Sequence, residues 1–463
     1  VLIKGTTTGA AADVDGNFSL PQAKPGDTLE ISLIGYTRQE LPVSGSAPLS
    51  VVMHEDNEVL DAVVVTALGI KRSEKALTYN VQEVAGDIVN TVKDANFMNS
   101  LSGKVAGLQI NASASGVGGS TRVVMRGVKS ISGNNNALYV IDGIPMPDLR
   151  SSQTEGTYET PDGGDFEGIS NLNPEDIESM TVLSGATAAA LYGSQGANGV
   201  IVITTKKGEE GRVRVNYANN TTFSSPFVMP QFQNTYGTDA TAPSMSWGTK
   251  LSTPTSYDPS DFFQTGFEET NAISVSGGTR VNQTYFSAAA VNSRGIVPNN
   301  GYDRYNFTFR NTTSFLNDKL KLDVGASYVM QKDRNMTNQG TYNNPLVGAY
   351  IFPRGNDWSD IEMYERYDPA RRLYTQYWPV GDAGMTMQNP YWINYRNLRE
   401  NNKDRYMLSA ALSYDVLDWL NVSGRIRVDN SSNDYTEKFY ASTFTQLTEG
   451  SKNGLYGITK TKD

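Results

Sequence analysis

Residues that could carry covalent chemistry are scarce in this chain of 463 residues. It has no cysteine and a single histidine, His54, so cysteine nucleophiles, thiolate metal sites and disulfides are excluded. His54 stands in the polar segment HEDNE, where no serine and aspartate are arranged for a catalytic triad. The sequence also singles out no pair of carboxylates for acid–base catalysis. These observations predict that the protein is not an enzyme.

Acidic residues offer two places where a cation could bind. Asp13, Asp15 and Gly16 begin like a calcium loop, but the acidic ligand expected at the end of such a loop is missing, which favours an ordinary hairpin turn. The segment 148–167 carries six acidic residues against one arginine, including DGGD. We interpret this segment as a solvated loop and predict no cofactor, with calcium as the weak alternative.

The balance of charge limits the partners that the chain can have. Lys and Arg number 39 against 49 Asp and Glu, which gives a formal net charge of −10. This charge repels phosphate backbones, so we predict no nucleic acid partner.

No run of residues approaches the ~18 apolar positions of a membrane-spanning helix. The chain opens at VLIKG, already strand-like, so we expect further residues before it in the whole protein.

Two N-terminal segments have different patterns. Residues 1–53 alternate like strands between turn signals, which predicts a small β-sandwich with strands at Ile31–Tyr36 and Leu49–Met53. In the next segment Leu60–Gly69, LDAVVVTALG, is a short β-branched run between polar flanks, without a turn-linked partner strand nearby. Such a run suits strand addition to the sheet edge of another protein. An ordinary edge strand explains it equally well.

Residues 76–208 are rich in glycine and predict a mixed α/β domain. Asn173 is placed to cap a short helix that has Pro174 at its first position. We interpret Arg126 and Asp142 as structural, with the arginine buried and paired with acids. GVGG at Gly116–Gly119 lacks the Lys-Ser/Thr and helix of a phosphate-binding loop, so we predict a turn.

Residues 209–463 contain long strands with one apolar and one polar face. Strands of ten or more residues match the ~9–11 residues that cross a bilayer as a tilted strand. Alternation of this kind is typical of a membrane barrel with a polar lumen, and a large soluble β-sandwich is the alternative. We predict about eight strands, separated once by a long loop at 333–402; the strands lie near 212–223, 271–280, 282–293, 303–315, 319–332, 403–416, 419–432 and 435–447.

Aromatic residues concentrate in the long loop. All five tryptophans lie at or after position 247. Aromatic faces there could stack on sugar rings or fill peptide pockets, and the alternatives are an interfacial girdle or packing against a partner lid. The candidate ligand contacts in this loop are Trp358, Tyr377, Trp378, Tyr391 and Trp392.

Several motifs occur in a characteristic order along the chain. They are LSGKVAGLQI, VMRG, LYVIDGIP and the long run from NPEDIESMTVL to VITTKKG. Together they resemble the plug domain of the TonB-dependent outer-membrane receptors of the SusC/RagA type. LDAVVVTALGIKRSEKAL resembles the Ton box region of this family, and SWGTKL with YDPSDFFQTGFEETNAISVSGG resembles its first barrel segment. DVDGNFS resembles the carboxypeptidase-regulatory-like domain that precedes the plug. The Ton box departs from the family in reading Asp-Ala-Val.

The resemblance implies a membrane β-barrel (partial, N-terminal strands) with an α/β plug domain and an N-terminal carboxypeptidase-regulatory-like β-sandwich. Eight strands cannot close the ~22-stranded barrel of such transporters, and the chain ends in KTKD instead of an aromatic residue. We therefore expect the first part of a longer barrel. The domains implied are the β-sandwich at 1–55, a hinge and Ton box at 56–75, the plug at 76–208 and barrel strands at 209–463.

The resemblance also implies a function. It implies TonB-dependent active import of oligomeric nutrients, oligosaccharides before oligopeptides, across the bacterial outer membrane, with a SusD-type surface lipoprotein as lid. The Ton box would bind TonB of the TonB-ExbB-ExbD complex in the periplasm, through Asp61, Ala62, Val63, Val64, Val65 and Thr66. The position of the acidic loop implies that it faces substrate, with Tyr158, Asp162, Asp165 and Phe166 as contact candidates. The alternatives are a surface binding or adhesion receptor without transport, and a secreted glycan-degrading enzyme.

Overall fold

A computed structural model describes most of the chain. It describes residues 1–463 except 5, 7, 11, 14–15, 33–38, 46–48, 54–62, 66–70, 74–80, 91–93, 113–114, 120, 131–134, 147–168, 170, 184, 242–244, 256–257, 339 and 380–387. The chain forms two compact units: one comprises Val1–Val64 and Lys71–Thr78, and the other comprises Val65–Ile70 and Tyr79–Asp463.

The first unit contains a small antiparallel sheet. Its strands, in the order β1-β2-β3, are β1 (Leu2–Ile3), β2 (Thr28–Ile31) and β3 (Gln39–Pro42). The expected turn is present, because the Asp13 side chain accepts a hydrogen bond of 2.8 Å from the backbone N–H of Asn17. The strand predicted at Leu49–Met53 is wrong: this segment is irregular, and its Val52 is 72% exposed, so the run buries too little to pair.

A two-stranded sheet follows. It consists of β4 (Val63–Val65) and β5 (Lys71–Ser73). The prediction that the valine run lacks a nearby partner strand is therefore wrong. The partner strand reads Lys-Arg-Ser, and such polar residues give no hydrophobic signal of a strand. In the part of the chain that is described, β4 has β5 as its one neighbour, and the other edge of β4 is open.

The plug is the α/β domain of residues 81–208. A five-stranded sheet with the order β10-β9-β12-β11-β6 forms its centre, with β9 and β12 parallel and the other neighbours antiparallel. Its hydrophobic core includes Phe97, Met98, Leu101, Ile177 and Met180. The elements are β6 (Val81–Ala85), α1 (Gly86–Asn90), β7 (Leu108–Asn111), β8 (Arg122–Met125), β9 (Leu138–Ile141), β10 (Ile144–Pro145), β11 (Ile177–Leu183), α2 (Ala186–Tyr192) and β12 (Val200–Thr205).

Two predictions about plug residues have different outcomes. The Asn173 side chain accepts a hydrogen bond from Glu175 N–H and caps a 3₁₀ turn at Pro174–Asp176, which confirms the predicted cap. Arg126 is exposed, so its prediction as a buried arginine is wrong. Its backbone has φ of 56°, which places it in the turn after β8, and a turn at the surface does not bury its side chain.

Five long strands follow the plug. They are β13 (Gly211–Ser224), β14 (Gly266–Gly278), β15 (Asn282–Arg294), β16 (Gly301–Phe315) and β17 (Leu320–Arg334). Each pairs antiparallel with the next along most of its length. Neighbours in sequence are therefore neighbours in the sheet.

The region predicted as a long loop contains short elements of its own. They are α3 (Pro345–Ile351), α4 (Trp358–Glu362), the hairpin of β18 (Glu365–Asp368) with β19 (Leu373–Gln376), and α5 (Pro390–Arg396). The predicted limits of 333–402 are too wide, because β17 continues to Arg334 and the next strand begins at Asn397. In the described part of the chain, no helix has the length and apolar character needed to cross a bilayer.

The sheet is completed by β20 (Asn397–Leu417), β21 (Leu420–Phe439) and β22 (Leu455–Lys462). The result is an eight-stranded sheet with the order β13-β14-β15-β16-β17-β20-β21-β22. The separate strand predicted at 435–447 is wrong. β21 continues without a turn to Phe439, and Thr445–Thr448 forms a 3₁₀ turn before β22.

The connections between these strands differ at the two ends of the sheet. At one end the links are short, with three residues at 279–281, four at 316–319 and two at 418–419. At the other end the links 225–265, 335–396 and 440–454 are long. We call these the short-turn end and the long-loop end. The plug enters β13 at the short-turn end, since Gly211 pairs with Gly278 there.

The two faces of the sheet have opposite character. On β17, Tyr328 and Met330 are exposed, whereas Val329, Gln331 and Asp333 are buried, which confirms the predicted alternation. The inward face contacts the plug, and the outward face is apolar over the middle of each strand. Outward side chains that are exposed include Tyr217, Ile273, Phe286, Tyr305, Phe307, Phe309, Tyr406, Leu408, Leu412, Tyr414, Val422, Ile426 and Val428.

Candidate functional site: the plug–barrel interface and the long-loop end

A buried plug carboxylate lies against the inward face of the sheet. Asp176 accepts hydrogen bonds from the Tyr285 hydroxyl at 2.9 Å and from the Thr308 hydroxyl at 2.8 Å. The capped turn that begins at Pro174 places this side chain. Burial raises the pKa of Asp176, and the hydrogen bonds from Thr308 and Tyr285 oppose that rise. The carboxylate is therefore an acceptor that ties plug to sheet.

An arginine on β16 forms a second link. The Arg310 guanidinium donates two hydrogen bonds of 2.8 Å to the Asp323 carboxylate on β17. It also lies 3.2 Å from the plug's Asp142, whose carboxylate accepts a hydrogen bond of 2.7 Å from the Thr205 hydroxyl. Lys207 pairs with the same Asp323 at 2.9 Å. The ends of β9 and β12 are thus held to the sheet by ionic contacts.

A third link is centred on Asn171. Its side-chain amide donates to Gln331 of β17, and its backbone carbonyl accepts from Asn306 of β16. Arg405 is fully buried and lies 3.4 Å from the Asn171 side-chain oxygen. That arginine also donates to Asp429 at 2.8 and 2.7 Å. A bidentate pair of this kind holds the guanidinium in one orientation, which positions it for its contact with the plug.

The plug backbone also approaches the sheet closely in the GVGG turn. A Cβ on Gly118 would lie 2.2 Å from the Tyr302 ring, and Gly118 has φ of +77°. Nearby, the Arg304 guanidinium donates a hydrogen bond of 2.8 Å to the carbonyl of Ala95. The turn predicted for GVGG is therefore present, and its glycines allow contact with the sheet.

These contacts make the interface largely polar, with a small apolar cluster of Ala95, Val117, Val291 and Tyr302, in contrast to the large apolar core inside the plug. When such contacts are exchanged for water, the net cost is about 0.5–1.5 kcal/mol for a neutral hydrogen bond and about 1.5–3 kcal/mol for one that involves a charged group. Such an interface can hold a domain firmly and still release it. Arg310 and Arg405 lie at polar positions of strands that alternate in the sequence. No local feature of the sequence indicates that the plug is their partner.

Some of the predicted aromatic contacts lie together at the long-loop end. Trp358 and Tyr391 have ring centroids 6.2 Å apart, and Trp378 lies 5.7 Å from Phe352. These three predicted residues are partly buried around the apolar cluster of Phe352 and Ile361. Burial raises the pKa of Tyr391 to about 12, so its hydroxyl stays protonated at neutral pH.

The other two aromatic candidates are held by different partners. Trp392 is fully buried, and its indole N–H donates a hydrogen bond of 3.0 Å to the Thr443 hydroxyl. The Arg366 guanidinium lies 3.4 Å from the centre of the Tyr377 ring. Trp392 is therefore a packing residue in this conformation. Ligand contact by the other aromatic residues stays a prediction.

The remaining predicted residues lie largely outside the described part of the chain. Tyr158, Asp162, Asp165 and Phe166 all fall within 147–168, so the calcium alternative at that loop is untested as well. Asp61, Ala62 and Thr66 of the Ton box are also outside it, whereas Val63, Val64 and Val65 form β4. Among the residues that are described, no three His, Asp or Glu side chains are grouped to hold a metal ion.

Two protein families match parts of the chain. The TonB-dependent receptor plug domain matches residues 73–200, and the CarboxypepD_reg-like domain matches residues 1–65. The first match covers the plug from before β6 to the first residue of β12, and it includes Asp142 and Asp176. The second covers the three-stranded sheet and β4.

Curated relatives extend the similarity over nearly the whole chain. The TonB-dependent receptor SusC of Bacteroides thetaiotaomicron is 31% identical over 436 residues, which are 93% of this chain and 40% of that protein. A TonB-dependent receptor of Formosa agariphila is 30% identical over 72% of this chain and 33% of its own length. The chain thus spans less than half the length of these relatives. The relatives are receptors and not enzymes, in agreement with the predicted lack of covalent chemistry.

A solved structure has the same fold. The RagAB peptide importer in its closed-closed state matches with a TM-score of 0.59 at 18% identity, over 80% of this chain and 42% of that chain. This match supports the fold described above. The chain belongs to the SusC/RagA-type TonB-dependent receptors, which are plugged β-barrel proteins of the bacterial outer membrane.

Proposed function

We propose that the protein imports oligomeric nutrients across the outer membrane by TonB-dependent displacement of its plug. The observation that carries this proposal is the polar plug–barrel interface, in which Asp142, Asn171 and Asp176 meet Arg310, Gln331 and Tyr285. A barrier that only closed a pore would gain more stability from apolar packing. Contacts that water can replace suit a barrier that must move and return.

Oligosaccharides are the first substrate class that we propose, and oligopeptides are the second. The resemblance of the sequence motifs to the SusC/RagA type implies oligosaccharides first, whereas the RagAB structure is named as a peptide importer. Short turns are periplasmic in outer-membrane barrels and long loops are extracellular. The aromatic cluster of Trp358, Trp378 and Tyr391 would then lie on the substrate side, under a SusD-type lipoprotein lid.

We propose that TonB binds by adding a strand to the Ton box of Asp61, Ala62, Val63, Val64, Val65 and Thr66. The open edge of β4 supports this, because main-chain hydrogen bonds along a free edge supply the affinity in strand addition. The Ton box precedes β6, which is an edge strand of the plug sheet. A pull on the Ton box would therefore act first on β6.

The test is Val64→Pro in cells that express the whole protein. Proline removes a backbone donor, so uptake of the nutrient should be lost while ligand still binds at the cell surface. Radiolabelled uptake and surface binding would be measured side by side. Val64→Ala is the control, because it shortens the side chain but keeps the N–H, and it should retain uptake. Normal uptake by Val64→Pro would refute this function and favour a binding or adhesion receptor without transport.

A further inference from the structure

A cleft on the outside of the barrel has the features of a lipid site. It is a cavity of about 430 Å³ near the long-loop end, lined by side chains that include Phe267, Asn292, Arg294, Asp303, Arg334 and Tyr395. Phe267, Arg294, Gly301 and Arg334 are cross-strand neighbours in one row of the sheet. Their inward-facing neighbours Ser293 and Tyr302 are buried, so the row faces outward, away from the plug.

The charges in this cleft favour an anion. Asp303 lies 3.7 Å from the Arg334 guanidinium and accepts a hydrogen bond of 2.8 Å from the Asn292 amide, so its charge is compensated. Arg294 is exposed, and within the part of the chain that the structure describes it has no ion pair. Two arginines against one aspartate leave one net positive charge, which Arg294 presents to the cleft.

Apolar side chains begin immediately below this cleft. Asp303 and Lys332 are paired on the outward face of β16 and β17. The next outward pair toward the short-turn end is Tyr305 with Met330, and Phe307 follows on the same face. Arginine beside an apolar surface matches a ligand with an anionic head and hydrocarbon chains. The long-loop end is extracellular in such barrels, so the cleft lies at the head-group level of the outer leaflet.

We propose that this cleft binds a phosphorylated lipid of the outer leaflet, with the phosphate on Arg294 and Arg334 and the acyl chains along Tyr305, Phe307 and Met330. Guanidinium groups bind phosphate through charge-assisted hydrogen bonds, and basic pockets at the surface of membrane proteins bind lipid head groups. The site rests on the membrane location of the barrel and not on import. A lipid bound there would stabilise the end of the sheet at which the 335–396 connection begins.

The test compares lipid retention by purified full-length protein in detergent. Lipid A with its phosphates is the probe, and bound lipid is counted by native mass spectrometry. Arg294→Gln should retain lipid A about tenfold less tightly, as expected for the loss of one charge-assisted hydrogen bond, and Arg294→Lys should retain more than the glutamine variant. Because Arg294 is exposed and unpaired with an acid among the described residues, its replacement should leave the fold intact.

The control variant is Lys460→Gln, which removes an outward positive charge that is paired with Asp434 on β21. It should retain lipid A like the parent protein. Equal loss of lipid A retention in both variants, or unchanged retention by Arg294→Gln, would overturn the proposal. Equal binding of dephosphorylated lipid A would overturn the role of the phosphate. Displacement of the lipid by inorganic phosphate at the same concentration would show a site for a free anion instead.

Discussion

At the scale of single residues, Gly118 has two independent reasons to be glycine. Its φ of +77° lies in the left-handed region, and an added Cβ would lie 2.2 Å from the Tyr302 ring. Tyr302 is only 1% exposed, so its ring has little space to move. The residue type at position 118 therefore controls how closely the plug can lie against β16.

Gly118→Ala should loosen the plug without unfolding it. Overpacking typically costs about 1–3 kcal/mol, and here the cost falls on the plug–barrel contact. We expect faster cleavage of the plug by a protease added to the purified protein. Gly103→Ala is a matched control, because Gly103 has φ of +75° but nothing within 4 Å of its Cβ. Equal protease sensitivity of the two variants would show that backbone strain alone, and not contact with Tyr302, is responsible.

At the scale of elements, an Asn-Pro pair begins two of the helices at the long-loop end. Asn344 caps α3 by accepting a hydrogen bond from Leu346 N–H. Asn389 caps α5 in the same way, and its amide also donates to the carbonyls of Ile361 and Tyr377 at 2.7 and 3.1 Å. The second asparagine therefore joins α5 to α4 and to the chain after β19.

Asn389→Ala should destabilise this region more than Asn344→Ala. Loss of a cap costs about 1 kcal/mol, and the buried carbonyls left without a donor add about 1–3 kcal/mol. The measurement is cleavage within 335–396 by a protease added to intact cells, compared at several temperatures. Asn344→Ala loses only a cap, so it should be cleaved somewhat faster than the parent protein but more slowly than Asn389→Ala. If the two variants are cleaved at equal rates, Asn389 acts as a simple cap.

The same elements show what the sequence could predict. The strands near 212–223, 282–293, 303–315 and 319–332 were predicted closely, because a period of two over ten or more residues is a strong signal. The strand at 435–447 was wrong because the turn-forming residues NSSND at 430–434 lie inside β21, which continues to Phe439. The polar segment Lys71–Ser73 has no hydrophobic signal of a strand, and the contact of Arg310 with Asp142 follows from how the plug meets the sheet.

At the scale of the whole molecule, the outward apolar surface matches the thickness of a membrane. On β17 it extends from Leu320 to Met330, about 33 Å along the strand at ~3.3 Å per residue. A strand tilted by ~40° would then cover about 25 Å, the height of the apolar band in outer-membrane barrels. On β16 the residues opposite this stretch run from Phe315 at the short turn to Tyr305, and Phe309 lies near the middle of the band.

A charge at the middle of this band should prevent stable insertion, and the same charge at its edge should not. Phe309→Arg places a guanidinium in the lipid-facing centre of β16, where the cost is about 2–4 kcal/mol, falling to about 0–1 kcal/mol near the interfaces. Phe315→Arg changes the same residue type on the same face of the same strand, at the short-turn edge of the band, and should insert normally. The amount of folded, heat-modifiable protein in the outer membrane separates the two. Equal amounts would mean that Phe309 does not face lipid, and the assignment of the apolar face as the membrane surface would fail.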